Sequence, residues 1–315
     1  MTTSGVLASH PLVVLGVPAY NEERYIRECL QSIQRQSHQE FVVLIGDNAS
    51  TDGTSEICAE FAAADRRFVH VRLPINVGGA ANFSQLRRSS RSEFFAWIGA
   101  HDRIGPDYLS EHLQLLGRYP AVVGSYSYFE RIDTAGAVIG RDRVRGLAEC
   151  WGGRWSRYFW SIVSGEVSAI HSLFRRSLMP DMDFDALPGC DHVFLSGASF
   201  NGRFVAVPRR HYQWRWFGDR GTTSSERVTG RVGAAADSSG LIAAFDREYE
   251  QLPATQRELT RYRRFAHWLV RDKFGPDSWK WFRKADSIMS RVRLVRRIPW
   301  LFAARARTFQ DAAPQ

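Results

Sequence analysis

Hydrophobic residues in this chain gather in short dense runs divided by polar turns. Runs at residues 12–17, 41–45, 68–73 and 93–98, with another at 203–207, have strand length and little alternation, so they read as strands covered on both faces. Between the first two, Ile26, Leu30 and Ile33 recur at helical spacing, and Ile57 and Phe61 do so between the second and third. Strand and helix alternate, which predicts an open, mostly parallel, Rossmann-like α/β sheet flanked by helices. Right-handed crossovers bring the polar turns that follow the strands to one edge, where such folds bind ligands. Residues 124–221 are rich in Trp, Tyr, Phe, Gly and Arg, with weaker periodicity. From about residue 240 the pattern turns helical, with a break at Gly275-Pro276. Beyond it Trp281, Ala285, Ile288, Val292 and Val295 form one stripe, with Lys280, Lys284, Arg291 and Arg297 off it.

Composition narrows the class. The chain has 315 residues of which 44% are hydrophobic, enough for an ordinary core and against disorder. The first ten residues, MTTSGVLASH, lack basic residues ahead of an apolar run, and no stretch is long and apolar enough to span a bilayer. The expectation is a protein made and kept in the cytoplasm. Cys29, Cys58, Cys150 and Cys190 lie far apart without a CxxC pair, which argues for reduced thiols over a zinc site or a disulfide framework. The net charge of +9 is uneven: residues 254–315 hold 15 Lys or Arg against 5 Asp or Glu, leaving the preceding 253 residues near −1. Such asymmetry favours a localised contact over a nucleic-acid-binding surface spread across the fold, and no nucleic acid is expected as partner.

Candidate chemistry sits where the strands end. Pro18-Ala19-Tyr20-Asn21-Glu22 follows the first run; Pro ends a strand and Asn caps a helix, while the same turn suits a nucleobase and ribose. Asp47 ends the second run. A carboxylate there is costly without a partner, and an imide or a ribose hydroxyl would supply one. Asp52 with Gly53 reads as a turn and helix start. Asn76-Val77-Gly78-Gly79 precedes a helix, and its glycines allow either simple helix initiation or close approach of a diphosphate. Gly99-Ala100-His101-Asp102 closes the fourth run. Asp191, before HVFLSGASF, is placed either to cap a helix or to act as a base. Tyr212-Gln213-Trp214-Arg215-Trp216 offers aromatic faces and a guanidinium fork.

These segments, in this order, resemble the family 2 glycosyltransferases, whose GT-A fold binds a nucleotide sugar at strand ends. The resemblance covers roughly the first two thirds of the chain. It implies a GT-A domain over residues 1–230, with a nucleotide half over about 10–120 and an acceptor half over about 121–230, followed by a basic helical extension over 231–315. It implies donor contacts from Pro18, Ala19, Tyr20, Glu22, Asp47, Asn76, Gly78 and Arg215, and a catalytic Asp at Asp191, where Cys190 stands in place of a frequent second acid. Family members usually carry Asp-x-Asp at the end of the fourth strand. Here Gly99 replaces the first acid, leaving Asp102 and His101 as metal candidates, with Mn²⁺ favoured over Mg²⁺ because of the His. Without a metal, Arg103 or Arg215 would neutralise the departing diphosphate; His211 is a weaker metal candidate.

The function this implies is an inverting glycosyltransferase moving a sugar from a UDP, GDP or dTDP sugar to a hydroxyl of a glycan or lipid-linked acceptor. A non-catalytic relative that binds nucleotide sugars or scaffolds glycan assembly is the alternative, supported by the altered metal motif. The basic tail has three readings: packing on the catalytic domain or on a second subunit, peripheral contact with an anionic membrane surface, and, least favoured, nucleic acid. Oligomeric state stays open, a homo-oligomer included.

Overall fold

The computed structural model describes residues 11–142, 147–150, 152–164, 168–184, 189–217 and 238–274. Its first half alternates as the pattern predicts: β1 (Val13–Ala19), α1 (Ile26–Gln34), β2 (Phe41–Asp47), α2 (Thr54–Ala64), β3 (Phe68–Arg72), α3 (Gly79–Ser89) and β4 (Phe94–Trp97). Val13, Val14, Leu15 and Val17 of β1 are fully buried, as are Val43 and Ile45 of β2, because helices cover both faces of the sheet. Ile26, Leu30 and Ile33 form the buried face of α1.

The second half begins with β5 (Arg103–Ile104), α4 (Tyr108–Arg118), β6 (Val122–Ile132) and β7 (Val138–Asp142). It continues with α5 (Arg154–Ser164), β8 (Leu173–Arg175), α6 (Cys190–Asn201) and β9 (Arg203–Arg215). The sheet order is β3-β2-β1-β4-β8-β6-β9-β5, with β7 paired to β6. The four strands from β3 to β4 are parallel, and β8 enters antiparallel to β4. Strand β9 runs eight residues past the apolar run that marked its start. It follows β6 through a bulge between Ser127 and Phe129, and Pro208, which lacks an N–H for the ladder, falls in that break.

Two further helices, α7 (Ser238–Glu250) and α8 (Gln256–Phe274), realise the helical pattern after residue 240. Their apolar faces build a second core with α5 and α6 from Trp155, Tyr158, Phe159, Phe200, Phe245, Tyr249, Leu259 and Leu269. Arg154 Nη2 donates to both carboxylate oxygens of Glu258 in α8, at 2.6 and 2.8 Å. The break at Gly275-Pro276 and the stripe from Trp281 to Val295 lie outside the described residues. Among the described residues no helix is long and apolar enough to cross a membrane.

Candidate functional site

Parallel register sets the C-terminal ends of β1 and β2 side by side, with Ala19 opposite Asp47 and Asp47 in turn opposite Arg72 of β3. The loops beyond are tied to each other. Asn48 N–H donates to Ala19 O at 2.9 Å, Glu22 N–H to Thr54 Oγ1 at 2.7 Å, and Thr51 N–H to Asn21 Oδ1 at 2.8 Å. Asn21 and Ala49 both adopt positive φ, 54° and 59°. Asn tolerates that region, whereas Ala does so at a cost of about 1–3 kcal/mol, so the surrounding bonds hold this turn in a strained shape. Asp52 accepts Thr54 N–H at 3.0 Å, the helix-start role its sequence context suggests.

Asp47 is fully buried. Oδ1 accepts Ser50 N–H at 2.9 Å, while Oδ2 meets His70 Nε2 at 3.5 Å and Arg72 Nε at 3.6 Å. Those are ion-pair distances rather than hydrogen bonds, and Oδ2 has no hydrogen-bond donor. Burial favours the neutral acid, but the contacts from His70, Ser50 and Ser55 outweigh it and hold the carboxyl well below the usual carboxylate range. Asp47 is thus an ionised group at a strand end with one oxygen unsatisfied.

Around it the edge is apolar and open. Tyr20, Val77 and Ile75 are 41%, 44% and 67% exposed, unusual for large apolar groups and clustered by the loops that carry them. Asn48 fixes this flank, donating to Asn76 Oδ1 at 2.7 Å and accepting Val77 N–H at 2.9 Å. Asn76 also accepts Gly78 N–H, at 2.8 Å. Gly78 has φ of 87° with open space where a Cβ would stand, so glycine is needed here for its backbone and leaves the start of α3 accessible.

The turn after β4 joins the same edge. His101 Nδ1 lies 3.0 Å from Glu22 Oε1, linking the turn after β4 to the one after β1. Asp102, 1% exposed, accepts Arg215 N–H at Oδ1 and Tyr212 O–H at Oδ2, both at 2.9 Å. Tyr212 in turn accepts Gly99 N–H at 3.1 Å and stacks on His171. A Cβ on Gly99 would lie 2.3 Å from Asp102 Oδ2, so the carboxylate occupies the space that a side chain at position 99 would need. Arg215 is buried and faces inward: Nε reaches His101 O at 2.8 Å, one terminal nitrogen Asp133 O at 2.9 Å and the other Glu28 Oε2 at 2.8 Å. It also lies over the Tyr25 ring. In this arrangement Arg215 braces the site from behind instead of presenting its fork to a ligand. Arg103, a quarter exposed, shares Glu28 at 3.5 Å.

A metal ion fits these residues poorly. Both oxygens of Asp102 are engaged by protein donors, and among the described residues no group of three or more His, Cys, Asp or Glu side chains is placed to hold one. His101 Nε2 is 3.9 Å from Asp102 Oδ1, but the carboxylate faces away from the imidazole toward Tyr212 and the Arg215 amide. His211 lies apart from the edge, 3.1 Å from Glu111.

Asp191 stands in the first turn of α6, after Gly189 in the left-handed conformation. Its Oδ1 accepts the His192 N–H at 3.0 Å within the first turn, while Gly189 takes the N-cap position without a side-chain cap bond. Burial raises its carboxyl to about 6 despite that bond. One turn on, Phe194 packs edge-on to Trp97, the last residue of β4, at 5.4 Å between centroids. The first turn of α6 therefore stands near the strand whose end carries His101 and Asp102. The edge thus collects Pro18, Ala19, Tyr20, Glu22, Asp47, Asn76, Gly78, His101 and Asp102, with Arg215 behind them, while Asp191 stands in the first turn of α6. Sequence reasoning missed Glu28, His70, Arg72 and His171, and it placed Tyr212 only within an aromatic cluster. Tyr212 and Arg215 belong to one aromatic and basic cluster, but three residues apart on β9 they meet Asp102 differently, the tyrosine by its hydroxyl and the arginine by its backbone N–H.

A parallel sheet with ionised and polar loops at its strand ends, continued by a mixed half, is the architecture of the GT-A glycosyltransferases. Residues 1–349 of S. aureus TarS in complex with UDP-GlcNAc align over 91% of this chain and 78% of that one, with a TM-score of 0.60 at 17% identity. The mannosyltransferase PcManGT of Pyrobaculum calidifontis, in complex with GDP-Man and Mn²⁺, aligns over 93% and 81%, with a TM-score of 0.50 at 17% identity. At such identities the likeness is one of fold. The sequence profile of Glycosyl transferase family 2 matches residues 15–157, and the chain carries a domain of that family. EpsH of Bacillus subtilis (strain 168), assigned as a glycosyltransferase, is 28% identical over 215 residues, 64% of this chain and 61% of EpsH. The chain thus spans about three fifths of that relative.

Proposed function

We propose that the chain is an inverting glycosyltransferase that transfers a sugar from a nucleoside diphosphate sugar to a hydroxyl of a glycan or lipid-linked saccharide. The observation that carries this reading is Asp47, ionised at the sheet edge with Oδ2 lacking a donor, since an imide N–H or a ribose hydroxyl would complete it. Tyr20 and Val77 give the base an apolar surface, and the Asn48–Asn76 pair holds the flank on which they depend. The first backbone N–H groups of α3, left accessible beside Gly78, offer donors to the diphosphate. The domain division follows the same reading, with residues 1–230 as the catalytic unit and 231–315 as an extension whose basic helices contact the membrane's cytoplasmic face.

Asp191 is the base. As its carboxylate takes the acceptor proton, the acceptor oxygen bonds to the anomeric carbon. The bond from that carbon to the diphosphate oxygen breaks, and its electron pair leaves with the nucleotide. A single displacement inverts the anomeric configuration. A carboxyl raised to about 6 is a stronger base than an ordinary Asp and still ionised at neutral pH. Asp102, Tyr212 and Arg215 hold the turn that carries His101, and Arg103 is the more accessible cation for the leaving group. Mn²⁺ is the preferred ion should one bind through His101, but Asp102, with both oxygens engaged by protein donors, is not arranged to hold it.

The committed Asp102 also favours a second reading, a relative that binds donor without transferring it. A thermal-shift panel of UDP, GDP and dTDP sugars, with and without Mn²⁺, tests donor binding: saturation at a hundred times Kd stabilises by about 2.7 kcal/mol, a rise of several degrees. Absence of a shift with every donor removes both readings. A shift without turnover on any glycan or lipid-linked acceptor leaves the second.

A further inference from the structure

Helix α8 has an outer face that the site does not use. Leu259, Ala266, Leu269 and Val270 are buried in the second core. Arg257, Arg261, Arg264, Trp268 and Arg271 follow at spacings of four, three, four and three, and all five are exposed. At 100° per residue they fall within about 80° of arc on the side opposite the core, along roughly 21 Å of helix. Trp268 is 47% exposed in the midst of the arginines.

The charge of this stripe is not neutralised locally. Arg263, which lies off it, pairs with Glu250, while Arg271 has a 3.8 Å contact with Asp246. Glu258, in the first turn, is turned toward Arg154. Among the described residues Arg257, Arg261 and Arg264 have no carboxylate within ion-pair distance. The face carries one sign only, and its indole, packed on Phe265 at 5.7 Å between centroids, leaves about half of its surface outward. A straight line of guanidinium groups enclosing one indole matches a plane of anionic headgroups, since Trp prefers the level where apolar and polar surroundings meet. In the sequence, residues 275–315 add nine Lys or Arg, with Trp279, Trp281 and Trp300.

We propose that this face of α8 docks the protein on an anionic phospholipid bilayer, with the arginines against lipid phosphates and Trp268 at headgroup depth. The inference rests on the glycosyltransferase reading only in that a lipid-linked acceptor would lie at the same surface.

Flotation of the full chain with vesicles tests it, using phosphatidylcholine alone and phosphatidylcholine with 30% phosphatidylglycerol, in the absence of donor. The protein floats with the anionic vesicles, loses them in about 0.5 M salt, and ignores the neutral ones. The triple variant R257Q/R261Q/R264Q lowers anionic partitioning roughly a hundredfold, at about fivefold per arginine. A charge-matched variant at exposed positions elsewhere, R35Q/R66Q/R91Q, changes it less than threefold. Equal loss in both variants, no loss in the α8 variant, or equal binding to neutral vesicles overturns the proposal. So does wild-type protein that ignores anionic vesicles but binds duplex DNA at the same salt. The donor thermal shift, measured on the same samples without lipid, reports separately on the catalytic reading.

Discussion

Replacing Asp191 by Asn should produce a protein that is inactive yet harder to melt. The carboxyl is raised from an ordinary 3.8 to about 6 because burial penalises its charged form. Two units correspond to about 3 kcal/mol at 1.36 kcal/mol per unit, and since the residue is only part-buried, solvent screening discounts this to about 1–3 kcal/mol. The sign follows from proton uptake. Between pH 3.8 and 6 the folded state holds a proton that the unfolded chain has released, so folding loses stability as pH rises through that window and stays lowered above it. Asn, isosteric and uncharged, removes the penalty. Melting curves for both proteins should converge near pH 4 and separate by a few degrees in favour of the variant at pH 8. Transfer should fall by about 10²–10⁴, the usual contribution of a positioned base, while the donor-induced shift persists. In the wild type kcat/KM should drop about tenfold per pH unit below 6. A variant with near-normal turnover, or one that melts no higher at pH 8, would refute the reasoning.

Asp47→Asn should weaken donor binding by about 10–100-fold in titration calorimetry, because it discards the charge and turns an amide toward the base; unchanged affinity would detach Asp47 from the nucleotide. Tyr212→Phe deprives Asp102 Oδ2 of its donor and Gly99 N–H of its acceptor, and should lower stability by about 1–3 kcal/mol in denaturant melts, against no change if the network is incidental. Glu248, buried beneath Gly197 of α6 with Tyr158 as its donor, has its carboxyl raised by burial to about 8. Its stability contribution is full below pH 4.5 and is lost as pH rises to 8, so Glu248→Gln should match wild type at pH 5 and exceed it by up to about 5 kcal/mol at pH 9; parallel curves would contradict this. A chain ended at residue 230 should aggregate on expression, since it uncovers Tyr158, Phe159 and Phe200 in the second core; a soluble, cooperatively melting fragment would argue otherwise.

The parallel half of the fold was legible because its strands are buried on both faces and punctuated by loops whose Asn, Asp and Gly have defined conformational work. The four runs became β1 to β4 within two residues of their expected limits. Legibility failed where residues distant in sequence meet. Nothing near Arg215 in the chain announces that Glu28 will receive its guanidinium, 187 residues away, or that Tyr212 will claim the carboxylate reserved for a metal. Arg215 was expected to face the donor because a fork among aromatics suits phosphate, yet the same fork satisfies two backbone carbonyls and a carboxylate. Asp191 was read as a cap or a base; Gly189 takes the N-cap position, and Asp191 stands in the first turn, buried enough for its carboxyl to be raised. Residues 281–297, read as an amphipathic stripe, lie outside the described structure, and it was α8 that displayed a one-sided arrangement of cations.

The crowding at Gly99 has a consequence for how such a site can change over evolutionary time. An acid placed at position 99 would require Asp102 to shift, because a Cβ there would lie 2.3 Å from its Oδ2. That shift would need Tyr212 to release the carboxylate first. A side chain at position 99 is therefore tolerated only as far as Tyr212 and the Arg215 amide let that carboxylate move, so the two ends of this cluster must change together.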